Sequence, residues 1–495
     1  MSTALEGDVT GAGPAQGPGP PAAILRPAAW ILAVAGMLKT HADPDLWGHV
    51  RFGLDIIRDR SLPHVDPYSF TQDVPWVNHE WLSEALMGTA FTAGGAAGLV
   101  VLKVVIVGVS FWLIAGSVRH TADHVRWPAL CLAFWGALPL TTTVRPQLWT
   151  LLLLAVLCRT LAGDPRRLWA VPLLFVPWAN AHGGWIVGMG VLAAWSAGVA
   201  LMKPQGGPPA RVLAVVTVAS LAATLITPYG WGLWEFIAGT VRLSRADIGE
   251  WHPIWRDSSV TVLQWLVAVA FIGAALRWLV RPHPAVLGVL AVLAFSSLRV
   301  NRLVPLFIVA AVMLVGRQVA ARTDAAPASR ARTAIDLAAV AIAMVVAVSI
   351  GAIPRCIAIT GTWTPDPPGM RALSAAEAEG RLVTWFEWGE YAIWHLGPEL
   401  RVSIDGRRET VYSERVLGEQ VAIGLGRPEG LAVLERMAPE YVWLPADRSR
   451  GTAEWLERHG YRIDVETGRS FVAVRGDLLP LAPVSAAAAP CFPGS

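Results

Sequence analysis

The feature that most constrains this chain is the recurrence of long, nearly uncharged apolar stretches, each roughly 16 to 23 residues, enough to cross about 30 Å of hydrocarbon as a helix. Water cannot satisfy backbone groups inside a bilayer, so only helices or closed barrels span it, and the alternating ten-residue strands of a barrel are missing. The composition agrees: 54% of residues are hydrophobic and 16% charged, and mean hydropathy is +0.47. An ordinary soluble domain runs nearer a quarter charged. The expectation is an all-α polytopic membrane protein of about eleven spans, near 23–39, 96–118, 127–142, 147–162, 166–181, 183–202, 211–229, 260–280, 284–298, 302–316 and 333–353.

Charge orients those spans. One set of alternate loops carries Arg119 and Arg126; Arg159, Arg166 and Arg167; Lys203 and Arg211; Arg277 and Arg281; and Arg317, Arg322, Arg330 and Arg332. Cytoplasmic loops are enriched in Lys and Arg, so this set is read as cytoplasmic. The other set then faces outward: 40–95, 143–146, the turn around Asn180 to Gly184, 230–259, the Arg299 to Arg302 turn, and everything after 354. An odd number of spans starting inside gives the same placement for the C-terminal part. Lys103 falls within a span and is expected to snorkel from near its outer end.

Five regions follow. Residues 1–22, rich in Gly, Pro and Ala, read as a disordered tail without the basic n-region of a signal peptide. The membrane module is 23–353, with a long outer loop at 40–95, and 354–376 is a proline-punctuated linker. At 377–476, Arg381 to Phe386, Leu400 to Ile404, Tyr441 to Leu444 and Ser470 to Val474 read as strands, alternating with helical patterns, which predicts an extracytoplasmic α/β domain of its own core. Residues 477–495 are expected to be disordered. The net charge of +3 is scattered, leaving no nucleic-acid footprint. Cys131, Cys158, Cys356 and Cys491 lack metal-site spacing, and a disulfide framework is not expected.

The first outer loop, HADPDLWGHVRFGLDIIRDRSLPHVDPYSFTQDVPWVNHEWLSEAL, is far longer than a connector needs, and long ordered loops carry function. Asp43 and Asp45 follow the first span directly. Two carboxylates at a membrane boundary suit a general base with an orienting group or metal ligand. His49 lies one helical turn beyond Asp45, and Asn78, His79 and Glu80 form a second polar cluster before an amphipathic stretch from Trp81 to Phe91. The plainer alternative makes Asp43 a helix cap and Trp47, Trp76 and Trp81 interfacial anchors. Asp55, Asp59, Asp66 and Asp73 read as solvated or turn residues. Arg145, His182, Glu250 to His252, Arg299, Asn301 and Arg302 lie in other outward turns. Outward arginines need local compensation, from carboxylates, headgroups or a phosphate gripped bidentately. His182 also suits a helix-end histidine bonded to backbone.

No phosphate-binding GxxxxGK, dinucleotide fingerprint, CxxC or HExxH occurs. An outward-facing enzyme has no nucleotide sugar at hand and would need a substrate activated on a lipid carrier.

The sequence resembles a known group. A first span, an outer loop opening with the acidic pair Asp43-Pro44-Asp45, many further spans and an outer C-terminal domain resemble the GT-C superfamily of polyprenyl-phosphate-sugar-dependent glycosyltransferases, the protein mannosyltransferases among them. DPDLWGHVRFGLDII, LPHVDPYSFT, PWVNHEWLSEAL, WANAHGGWIVG and WGEYAIWHLGPELRVSIDGRRETVY are similar to motifs of a bacterial membrane-protein group within it, over most of residues 30–475. The resemblance implies a multi-pass inner-membrane enzyme that transfers a sugar, with inversion, from a polyprenyl-phosphate donor to a lipid, glycan or protein acceptor outside the cell. Asp45 or Asp43 would be the base, with Mg or Mn a possible cofactor held by the same pair. Arg145, Arg299 and Arg302, with His182, would bind the donor phosphate, and His79 and Glu80 match the group's second motif. Asp405-Gly406-Arg407-Arg408 matches a third motif and reads as a structural turn after a strand. A transporter or flippase of lipid-linked sugars and a non-catalytic envelope assembly protein are the rival readings.

Overall fold

The structure is a computed structural model that describes residues 20–202, 207–240, 248–278, 283–321, 356–361, 363–482, 484 and 491–494. Among these, helices occupy ten of the eleven expected spans: α1 (Pro20–Leu38), α3 (Trp81–Val118), α4 (Asp123–Thr141), α5 (Gln147–Leu161), α6 (Val171–Ala181), α7 (Trp185–Met202), α8 (Ala210–Ala223), α10 (Ser259–Trp278), α11 (Pro284–Arg299) and α12 (Val304–Ala320). The eleventh, 333–353, lies outside the described residues. Among the described residues four segments are long and apolar enough to cross a membrane, Trp81–Val118, Trp185–Met202, Ser259–Arg277 and Asn301–Ala320, fewer than the expected count of about eleven. Two further helices among the described residues fall outside the expected spans, α2 (Leu46–Asp59) and α9 (Gly232–Thr240).

The 38-residue α3 is two helices joined at Gly94 and Gly95, the latter at φ 56°, a conformation glycine adopts without steric cost. The kink separates the amphipathic stretch from Trp81 onward from the apolar span predicted at 96–118. Below it, Lys103 does not snorkel. Its side chain is fully buried and donates to the carbonyls of Lys39, 2.7 Å, and Thr141, 2.9 Å, just after the end of α1 and at the end of α4. A helix end carries unpaired carbonyls and partial negative charge, and an ammonium answers both.

The C-terminal part is a five-stranded sheet of order β2-β1-β3-β5-β4. Its strands are β1 (Gly380–Thr384), β2 (Leu400–Val402), β3 (Tyr441–Pro445), β4 (Tyr461–Glu466) and β5 (Ser470–Arg475). β2, β1 and β3 are parallel, while β5 and β4 run antiparallel to β3 and to each other. Around them pack α13 (Pro367–Ala375), α14 (Gly389–Leu396), α15 (Glu414–Gly424), α16 (Pro428–Met437) and α17 (Arg450–Arg458). The segment read as a linker therefore already contains α13. Parallel strands need a crossover of a dozen or more residues, which α14, α15 and α16 provide.

One face of this sheet has no core of its own. Leu382, Val402, Trp443 and Val472 share a continuous hydrophobic cluster with Leu46, Trp47, Val50 and Phe52 of α2 and with Trp76 and Met87. Trp47 and Trp76 are thus core residues and not interfacial anchors, at 0% and 3% exposure. The loop acids differ from expectation too. Asp66 is buried, and Arg407 grips it through both terminal nitrogens at 2.7 and 2.8 Å while also bonding Asp405. The guanidinium stacks on Phe52, Tyr68 and Trp76 at 4.7–5.2 Å from their centroids, and Asp55, also buried, accepts from Arg51 and Tyr68. Turn residues in sequence become a junction in space because the turn after β2 lands on the loop between α2 and α3.

The described part of 477–495 is not a free tail. Cys491 forms a disulfide with Cys356 across 135 residues, a partnership that spacing alone did not suggest. Phe492 is buried against Trp47, Phe91 and Trp394, and the indole of Trp47 donates to the Pro493 carbonyl at 2.7 Å.

Two outcomes are expected. Arg407→Leu leaves Asp66 and Asp405 as unpaired buried carboxylates, so detergent-solubilised protein should lose about 3–5 kcal/mol of stability by denaturant unfolding; Arg407→Lys, unable to reproduce the fork, should rescue little of it. Thiol alkylation of unfolded, non-reduced protein followed by peptide mass spectrometry should label Cys131 and Cys158 and spare Cys356 and Cys491.

Candidate active site

The turn after α1 is held from two sides. The His41 amide donates to the Thr142 carbonyl at 3.0 Å and the Ala42 amide to Ala358 at 2.8 Å. This places Asp43 and Asp45 opposite Arg145, which sits in the α4–α5 turn just before Pro146. Arg145 Nε lies 2.7 Å from Asp43 Oδ2, its Nη2 bonds Asp45 Oδ2, and its Nη1 lies 3.6 Å from Glu250 Oε1. The two acids are not equivalent. The Asp43 side chain is 11% exposed and that of Asp45 31%. Burial pushes the Asp43 carboxyl up to about 6, against the opposing pull of Arg145. Burial alone would weaken the charge on Arg145, but Asp43, Asp45 and Glu250 together raise its pKa above the usual value.

A second group assembles beside it. Glu80 precedes α3, and its Oε1 lies 3.6 Å from His182 Nε2 and 3.7 Å from His79 Nε2. His182 Nδ1 accepts from the Gly184 amide at 3.0 Å and meets Thr150 Oγ1 at 2.7 Å, while Thr150 Oγ1 accepts from the Trp178 indole at 3.0 Å. With Nδ1 an acceptor, the neutral ring carries its proton on Nε2, facing Glu80. Burial keeps that ring neutral, holding its pKa well below the ordinary value, with Arg302 adding to the effect. His182 is therefore a helix-end histidine bonded to backbone, and it stands beside Glu80.

His49 turns away from Asp45 toward α3. Its Nδ1 is 3.1 Å from Glu84 Oε1, and Asn78 Nδ2 donates to Glu84 Oε2 at 2.5 Å. Burial disfavours the imidazolium, but the Glu84 bond and the charges of Glu80, Glu84 and Asp45 prevail and raise its pKa to about 9. Arg302 stacks on Trp251 at 5.0 Å, in the loop that carries Glu250, and Asn301 Nδ2 pins that loop through the Gly249 carbonyl at 2.9 Å. Arg299 lies over Phe295 of its own helix at 5.6 Å, away from the contacts that gather the acids. A mainly apolar groove of ≈ 500 Å³ is lined by Trp81, the residue after Glu80, with Leu82, Val176, Pro177, Asn180, Ile226, Thr227 and Pro228.

Sequence reasoning grouped Asp43 and Asp45 correctly in space but missed two contributors. Glu84 lay in the quoted loop without distinction. Glu390 lay inside the WGEY motif, and its buried Oε2 accepts from the Gly48 amide at 3.1 Å. Burial, reinforced by Asp45 and Asp405, raises the Glu390 pKa well above the carboxylate range. The possible Mg or Mn does not match this arrangement. One Asp43 oxygen accepts from the Asp45 amide, the other faces Arg145, and Asp45 Oδ2 is bonded to Arg145 as well; the guanidinium stands where a cation shared by the pair would sit. Among the described residues no group of three or more His, Cys, Asp or Glu is arranged to hold a metal.

The fold of this chain is similar to those of solved membrane glycosyltransferases. It aligns with the Archaeoglobus fulgidus oligosaccharyltransferase in its apo form at TM-score 0.53 and 11% identity, over 88% of this chain and 71% of that one. The same organism's oligosaccharyltransferase AglB, in complex with an inhibitory peptide and a dolichol-phosphate, aligns at TM-score 0.55 and 12% identity, over 92% and 74%. The arabinofuranosyltransferase AftD from Mycobacteria aligns at TM-score 0.50 and 15% identity, over 92% of this chain and 41% of that longer one. These neighbours are GT-C superfamily glycosyltransferases, and the present chain shares the GT-C fold. No protein-family model matches it, and no curated protein matches it significantly in sequence.

The His49 pair makes a signed prediction. A histidine whose pKa is about 9 when folded and 6.5 when unfolded contributes stability that is complete below pH 6.5 and lost as pH rises through about 9. Thermal unfolding in detergent should therefore show the wild-type midpoint falling between pH 7 and 10, and His49→Gln should be less stable at pH 7 with that part of the decline removed.

Proposed function

We propose that this protein is an inverting membrane glycosyltransferase of the inner membrane, which moves a sugar from a polyprenyl-phosphate donor to a lipid, glycan or protein acceptor on the outer side. The observation that carries the reading is the Asp43–Arg145–Asp45 constellation within a GT-C fold, with one carboxylate buried and the other accessible. Asp45 is the base. Its Oδ1 is not engaged by Arg145, and it takes the proton of the acceptor hydroxyl as that oxygen attacks the anomeric carbon. The bond from that carbon to the phosphate oxygen breaks on the opposite face, and the polyprenyl phosphate leaves with the electron pair. Asp43 and Arg145 hold Asp45 in place.

Of the expected set Arg145, Arg299, Arg302 and His182, the donor phosphate is held by Arg302 and the Nε2–H of His182, while Arg145 is engaged by two carboxylates. Donors fixed at the leaving oxygen lower the barrier without reorganisation. The apolar groove beside Glu80 suits the first isoprene units of the carrier, and the dolichol-phosphate in the AglB complex is chemistry of the same kind. No step passes through a metal. The Cys356–Cys491 disulfide supports an outward-facing C-terminal domain, since such bonds persist in oxidising compartments. A transporter would carry its ionisable groups near mid-membrane at broken helices, whereas these sit in the turns at helix ends.

Transfer of radiolabel from polyprenyl-phosphate sugars to membrane extract tests the assignment. Asp45→Asn should lower the rate by about 10²- to 10⁴-fold, the usual worth of a positioned base, and Asp43→Asn by less. Undiminished transfer in both variants would place the chemistry elsewhere.

A further inference from the structure

Asp45 occupies the N-cap position of α2 yet makes no capping bond. An N-cap aspartate ordinarily turns its carboxylate back onto the amide of the second or third helical residue, here Trp47 or Gly48. The Gly48 amide is already taken, by Glu390 Oε2 at 3.1 Å, from a helix 342 residues away. Two glycines make that approach possible. A Cβ on Gly48 would lie 2.1 Å from Glu390 Oε2, and one on Gly406 would lie 2.5 Å from Asp45 Oδ1 and 2.8 Å from Glu390 Oε1. The C-terminal domain is thus shaped to press a carboxyl group against the first turn of α2.

We infer that Glu390 is a positioning residue for Asp45: it caps α2 in place of the Asp45 side chain and so leaves that carboxylate directed at Arg145 and the acceptor. A carboxylate spent on its own helix would aim its oxygens at the Gly48 amide and not at the acceptor. It would also point away from Arg145. The cap needs an acceptor oxygen at the right reach and no charge, so glutamine in place of Glu390 preserves it. Aspartate, one methylene shorter, keeps the acid and withdraws the oxygen from Gly48. The inference rests on the transferase reading for its kinetic consequence, and not for its structural one.

The test uses the full chain in detergent or nanodiscs with Glu390→Gln, Glu390→Asp and Glu390→Ala. Expected is a transfer kcat within about threefold of wild type for Gln and lowered by about tenfold or more for Asp and Ala, with the donor KM unchanged, the pattern of an interaction expressed in the transition state. Cryo-EM of Glu390→Asp should show the Asp45 carboxylate rotated onto the Gly48 amide and parted from Arg145. If Ala fails to fold, the contrast of Asp with Gln decides alone. Asp active and Gln inactive would overturn the inference, as would Asp45 remaining on Arg145 in the Asp variant. Absence of transfer by wild type under every donor counts against the glycosyltransferase reading only, since the cryo-EM comparison still decides where Asp45 points.

Discussion

The buried pairing of Arg407 with Asp66 and Asp405 is the interaction on which the docking of the C-terminal domain depends. Its parts come from the first outer loop and from the turn after β2, and the guanidinium is walled by three aromatic rings. Burying three charges is costly, and such a set is seldom a net gain over apolar packing. What it supplies here is uniqueness of docking, because two carboxylates and a planar fork tolerate one relative placement. With that placement fixed, α14 comes to rest on the first turn of α2, and the shared core of Trp47, Phe52, Trp443 and Val472 closes behind it.

The candidate site inherits its geometry from this docking and from the membrane helices in equal part. Asp43 and Asp45 belong to the exit of α1, Arg145 to the entry of α5, and Glu80 and His182 to the entry of α3 and the exit of α6. The turn carrying the acids is tied to the α4–α5 turn through His41 and to the segment after Cys356 through Ala42. Lys103 gathers the carbonyl ends of α1 and α4 directly beneath. The polarity of the site is therefore supported from below by a cation in the helix core and from above by a domain.

Much of this was legible in the chain. Apolar runs located ten of the helices from α1 to α12, all but α2 and α9, and the acidic pair stood out by following directly on the first apolar run. Strand patterns located β1, β2, β3 and β5. What was not legible has a common physical cause: it depends on partners far apart in sequence. Glu390 reaches Gly48 across 342 residues, Arg407 reaches Asp66 across 341, and Cys356 meets Cys491 across 135. Local periodicity carries no trace of such meetings. The same limit explains why Asp66 read as a solvated turn residue and Lys103 as a snorkelling one, since each was judged against water and headgroups and not against the tertiary partner that claims it.

The disulfide encloses every strand and helix of the C-terminal domain, from α13 to β5, within one covalent circle. Near the start of that circle Ala358 meets the turn holding Asp43 and Asp45. The ring and the buried Arg407 pairing carry Glu390 and Gly406 to α2 together, so the second wall of the site is one covalently closed piece.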